Sequence, residues 1–382
     1  MGLLKKYFAI FLFSILLFGC ARMIKLSKLD KNAEIVSQYG NSSQRNFYFD
    51  KKIDIQKEPL WSKSTYGSYS NSPFAAYDSI LFIADLGGRL TALNIYNGKK
   101  IGEIKYKGGI EQTPIIERSN LIFIVNEEKE NYSSLIVYDF INAKDFRELK
   151  LDGKITNEMI YQNEKIFILS DFGKLYKVSG TGMKEWEIDL KENFLSDPAA
   201  DENNLYLCSI YGNLYAVDKE EGKIIYKKKI TKEMQCGIVV KDEALYFGDE
   251  LGNVFSVNKN IGSINWQFDT KHKIKSAPAL DSNSLYIGNL NGDLFSINID
   301  NGKQNWKFEN RGLINTTPLV FANVVIQPNV KLETDIIDKF TGKPIDKIQF
   351  EGRCRTSPFF YNNCLFFGID KDEIYCYQMK GN

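Results

Sequence analysis

The 382-residue sequence contains one histidine, His272, and that scarcity removes most hydrolytic and metal chemistry. A histidine-based triad or a zinc site would have to use it, and it stands in DTKHKIK, between two strand-like runs, where a solvated loop histidine is the simpler reading. The six cysteines show no C-x-x-C spacing, so no zinc or redox motif is spelled. Neither GxGxxG nor GxxxxGK[ST] occurs, and the many glycines therefore lack phosphate-loop spacing. Surplus charge is also missing: the formal net charge is +1, which leaves no basic excess for a nucleic-acid partner. No stretch of eighteen apolar residues exists, so no segment reads as a spanning helix.

What is plentiful is aromatic residues, 21 Tyr and 26 Phe, in a chain that is 43% hydrophobic; this enrichment favours strands. The first residues, MGLLKKYFAIFLFSILLFGC, place Lys5 and Lys6 before an apolar run from Tyr7 to Phe18, then Gly19 and Cys20. A run of that length is a secretory signal rather than a span. It resembles a bacterial lipoprotein signal, which implies cleavage after Gly19 and lipid (palmitate among the acyl chains) on Cys20. Cleavage removes two lysines and no acid, leaving the mature chain one negative charge from neutral. Residues 20–50 are polar and aperiodic and read as a lipidated flexible tether reaching on the order of 30 Å. The remaining cysteines, Cys208, Cys236, Cys354, Cys364 and Cys376, read as small apolar strand residues. One disulfide among them stays open, with no pair favoured.

Beyond residue 50 a repeat of forty residues dominates. Pro198, Pro278, Pro318 and Pro358 keep its spacing, with Pro73 and Pro114 as earlier members. Gly182, Gly222, Gly262, Gly302 and Gly342 stand forty apart, and four residues after the first four come Trp186, Tyr226, Trp266 and Trp306; Asp346 breaks the series. Within each unit apolar and polar residues alternate, with Asn-Gly pairs such as Asn291-Gly292 and Asn301-Gly302 between runs, which reads as hairpins with type I′ turns. Four short antiparallel strands per unit is a β-propeller blade. Units begin near Asn71, Glu111, Thr156, Asp197, Cys236, Ser276 and Thr316, and an eighth, from Arg355, lacks its fourth strand. EPLWSKSTYG, residues 58–67, looks like that missing strand. The expectation is an all-β, eight-bladed propeller over residues 51–382, its last blade closed by an N-terminal strand. The constant place of the tryptophans points to packing between blades rather than to a ring-cofactor box. Turn-tip acids such as Glu220 and Glu221 read as solvated.

The motif G-[ND]-[LV]-[YF]-[AS]-[VI]-[DN] followed by G-K-x-x-W, over roughly residues 58–379, resembles the quinoprotein-type repeat shared by pyrroloquinoline-quinone dehydrogenases and the BamB family of outer-membrane assembly lipoproteins. The dehydrogenase resemblance implies a quinone, a calcium ion, a catalytic carboxylate and a pair of adjacent cysteines; no two cysteines are adjacent here, and no catalytic, cofactor or metal residue is assigned. The BamB resemblance implies a non-enzymatic, lipid-anchored scaffold on the periplasmic side of the outer membrane of a Gram-negative bacterium. Its partner would be the β-barrel assembly machinery, and no small-molecule substrate is expected. Ala21 after Cys20 agrees with outer-membrane sorting. An L-x-L-R-G-E-S-like rim segment of that family has no counterpart; the nearest stretches are KENFLSDPAA, 191–200, and TKEMQCGIV, 231–239, and no partner-binding residue is carried over. An envelope scaffold or adhesive propeller with another partner is the alternative.

Overall fold

The computed structural model describes residues 23–26, 33–127, 129–309 and 312–381. Strands form without any helix among the described residues, and they assemble into eight antiparallel blades. The sixth blade shows the plan: Ala279–Leu280 innermost, then Ser284–Gly288, Asp293–Asn298 and Gln304–Glu309 outermost, each paired with the next. The middle strands are buried on both sides and read SLYIG and DLFSIN; the outer strand alternates, because only one of its faces meets a neighbour.

Each meander defines two faces of the ring. The loop face carries the turns between second and third strands and the connections from one blade to the next. The turn face carries the remaining two turns of every blade. The Asn-Gly turns are not type I′. Only the glycine has positive φ (Gly292 +90°, Gly302 +70°), and Gly292 N–H bonds Asn289 O while Asn289 N–H bonds Asp293 O. A type I turn ending in a left-handed glycine bulge makes that pattern, and it needs one flexible position instead of two.

A register shift recurs at the same place in the third-to-outer hairpin of seven blades, for example between Ser256 and Val257 and between Ser296 and Ile297. It defines a structurally equivalent position on the outer strands: Gly102, Arg147, Trp186, Tyr226, Trp266, Trp306 and Asp346. At this position the tryptophans pack against the next blade. Trp186, Trp266 and Trp306 lie on Gly222, Gly302 and Gly342, and their indole N–H groups donate to the carbonyls of Lys219, Ile299 and Lys339 at 3.3, 2.7 and 2.9 Å. Tyr226 does the same with its hydroxyl to Lys259 O at 2.9 Å. A Cβ on Gly342 would stand 2.6 Å from Trp306, so glycine there serves close approach as well as its φ of +70°.

The eighth blade is composite, as the repeat count requires. Phe359–Tyr361, Cys364–Ile369 and Glu373–Gly381 come from the C-terminus; Trp61–Ser64 and Ile53–Ile55 pair with the last of these. Trp61 then packs on Gly98 of the first blade and donates to Ile95 O at 2.8 Å, closing the ring.

The structure corrects the tether for the described part of residues 20–50. Ile24, Leu26, Val36, Tyr39, Arg45 and Phe47 are buried. Ile35–Val36 pairs with the innermost strand of the first blade, and Tyr48–Phe49 runs parallel to that of the seventh. The reason is the inner strands themselves. Each leaves an unpaired edge toward the channel, and a polar segment supplies backbone partners without needing a hydrophobic pattern.

Candidate functional site: the filled channel and the loop face

Eight equivalent positions at the start of the innermost strands surround the channel: Ser72, Thr113, Glu158, Asp197, Gly237, Ala277, Thr317 and Ser357. At three of these positions the side chain takes the amide of the preceding blade. Glu158 accepts from Thr113 N–H (3.1 and 3.3 Å), Asp197 from Glu158 N–H (2.8 Å) and Ser357 from Thr317 N–H (3.0 Å). Two adjacent blades thus put carboxylates where the others have small or neutral residues.

The N-terminal segment winds around this ring. The carbonyls of Ser43, Gln44, Asn46 and Phe47 accept from Ala200, Val240, Leu280 and Val320 N–H, one blade after another, at 2.9–3.0 Å. Arg45, 1% exposed, projects into the channel and donates to the carbonyls of Pro198, Tyr39, Glu158 and Met159. Its guanidinium also lies 5.6 Å from the centre of the Tyr39 ring, and the Tyr39 hydroxyl bonds Thr317 Oγ1 at 2.7 Å. Burial raises the Glu158 carboxyl well above the usual carboxylate range; the charge of Asp197 raises it further, and Arg45 opposes both. Asp197 is raised by burial too, again against Arg45. This is a buried, charge-compensated knot that holds a plug. Beside it a cavity of ≈ 20 Å³, about one water, remains between Tyr39, Phe47, Asn71 and Ser72.

This channel does not fit the calcium and quinone that the dehydrogenase resemblance implies. Among the described residues no three Asp, Glu, His or Cys side chains are grouped to hold a metal, and Glu158 and Asp197 are engaged by backbone amides. No catalytic step is built on it.

The loop face is different in character. The residue before the turn glycine is Phe172, Tyr211 and Leu251 in blades three to five, 60%, 51% and 51% exposed; in blade six it gives way to Asn291, and in blade seven to Lys331, with Leu332, 43% exposed, standing in place of the glycine. Leu195, 43% exposed, lies on the connection between blades three and four, on the same face. Three neighbouring blades therefore present large apolar side chains, a sector of the kind that marks a partner surface. Of the two stretches singled out in the sequence, 191–200 contributes Leu195 to this sector while burying Phe194, and 231–239 buries Met234 and Cys236. The signal for the sector lay in the sequence, one residue ahead of each repeated glycine.

The other residues singled out from sequence fall as follows. Cys20 lies outside the described residues. Cys208, Cys236, Cys354, Cys364 and Cys376 are free and buried. Contact with Cys376 lowers the Cys364 thiol, and the same contact raises that of Cys376, so these two are neighbours across the last blade. His272 is exposed on the loop face. Glu220 is exposed but pairs with the buried Lys177 at 2.7 Å, and Asp346 pairs with Lys57 at 3.5 Å. Missed by sequence reasoning was Arg45; two acids in the pre-proline column, Glu158 and Asp197, were the only sign that a cation was needed.

Among solved structures, BamB from Moraxella catarrhalis superimposes with a TM-score of 0.70 at 13% identity, covering 86% of this chain and 100% of that one. The computationally designed Ika8 protein gives 0.71 at 12% identity, covering 82% and 98%. Quinohemoprotein alcohol dehydrogenase ADHIIG from Pseudomonas putida HK5 gives 0.74 at 11% identity, covering 91% and 80%. These likenesses establish the eight-bladed fold. No curated protein matches the sequence significantly. The family model described as outer membrane protein assembly factor BamB matches residues 142–251, 171–312 and 250–343, together more than half of the sequence. With its repeat and its ring both accounted for, the chain belongs to the BamB family of quinoprotein-like propellers.

Proposed function

We propose that this propeller is a protein-interaction scaffold in outer-membrane β-barrel assembly, held on the periplasmic side of the outer membrane by lipid on Cys20. The observation that carries the reading is the apolar sector Phe172, Leu195, Tyr211 and Leu251 on the loop face of a rigid ring whose channel is plugged by its own chain. A surface of this kind binds by burying a few large side chains, with the contacts around them excluding water. Family membership favours this class of partner. Detergent-solubilised membranes from cells carrying tagged protein should yield the barrel-assembly complex, and a Phe172→Asp, Tyr211→Asp, Leu251→Asp variant should lose it while remaining folded. Repeated absence of that complex from the wild-type preparation sinks the assembly role.

A second reading, a different envelope partner, is favoured by the missing rim segment of the BamB family. The same pull-down separates the two, because under that reading a different protein is captured and then lost from the triple variant.

A further inference from the structure

Among the seam positions defined by the recurrent bulge, Gly102 is the one with no side chain, so the seam between blades one and two lacks an aromatic filler. The N-terminus fills it. Ile24 is fully buried and Leu26 nearly so, in one cluster with Phe82, Phe123 and Phe140. Leu26 N–H donates to Phe140 O at 2.8 Å, the carbonyl equivalent to Ile299 O and Lys339 O that receive tryptophan N–H groups elsewhere. Tyr138 Oη donates to Ile24 O at 2.8 Å. A Cβ on Gly102 would stand 2.7 Å from Met23 O and 2.8 Å from Ile24 N, so the segment lies directly on the outer strand of blade one.

Two residues separate Met23, the first of this docked segment, from Cys20, a reach of at most about 11 Å. We propose that the outer edge of blades one and two is a membrane-facing surface, which rests against phospholipid headgroups while blades five and six stand away from the bilayer. The proposal rests on the lipidation of Cys20 put forward above. Side chains beside the seam suit that occupant: Met23 and Phe146 are 46% and 54% exposed, and Lys25 and Lys144 are exposed cations that complement anionic headgroups. Arg147 stacks on Phe146 at 5.8 Å from the ring centre.

The test uses the full lipidated protein in vesicles of phosphatidylethanolamine and phosphatidylglycerol doped with a headgroup-quencher lipid. A fluorophore is attached at Phe146→Cys, at Lys144→Cys as a second near-edge site, and at Ile264→Cys on the exposed outer strand of blade five. The five other cysteines are buried and leave the introduced thiol as the reactive one. Quenching at the near-edge sites should exceed that at 264 several-fold, and a twenty-residue Gly-Ser insertion between Cys20 and Met23 should erase the difference. Equal quenching at all three sites in membrane-bound protein overturns the orientation. If Cys20→Ser protein stays on the membrane as the wild type does, lipidation itself fails, which is a separate and distinguishable result.

Discussion

Trp306 and Arg45 show two ways in which a single side chain holds this ring. Trp306, 8% exposed, fills the seam between blades six and seven and satisfies Lys339 O; Trp306→Ala should cost about 3 to 5 kcal/mol in denaturant melts. Trp306→Phe, which keeps most of the volume and loses the hydrogen bond, should cost less than half as much. Arg45→Ala removes the cation from two buried acids, and a loss of about 3 to 5 kcal/mol is expected. The pH dependence follows from Glu158, whose folded carboxyl is raised from 4.5 to about 8 by burial first and Asp197 second. The native state therefore binds more protons than the unfolded chain between these values. Stability from this group is fully present below pH 4.5 and falls as pH rises toward 8. Melting midpoints measured across that window should decline with a shallower slope in Glu158→Gln than in the wild type.

Elements with a repeat were legible in the sequence, and elements without one were not. The forty-residue spacing, the alternating runs and the orphan EPLWSKSTYG were enough for eight blades and a composite closure, because every blade must bury the same faces in the same order. The N-terminal segment has no such constraint. Most of its bonds are from its carbonyls to the edges of inner strands, which nearly any sequence can supply, and its few apolar anchors, Ile24, Leu26, Val36, Tyr39 and Phe47, are spaced without a period. The gap at Gly102 in the aromatic column was the available clue. Gly102→Ala should push residues 23–26 out of their groove, with a loss of about 1 to 3 kcal/mol and faster proteolytic cleavage ahead of residue 33. The apolar loop-face sector was hidden for another reason: one variable residue per turn carries it, and only the ring brings Phe172, Tyr211 and Leu251 to one side.

At the scale of the molecule, the ring is joined at one place, where Trp61–Ser64 lies beside Glu373–Cys376. Ser62 and Tyr375 are direct partners across that joint, so Ser62→Cys with Tyr375→Cys should form a disulfide that closes a loop of about three hundred residues. An increase of about 3 to 5 kcal/mol, read as a higher denaturant midpoint under oxidising conditions and abolished by reductant, is expected if this joint is where the ring opens. The joint also imposes an order of events. Residues 53–64 are made about three hundred residues ahead of their strand partners, 373–381. The opening strands must therefore wait, with their edges uncovered, until those partners have been made, and the sequence separation they bridge is of the kind that slows folding. A chain built in this way is most vulnerable to premature pairing and proteolysis before its final strand arrives.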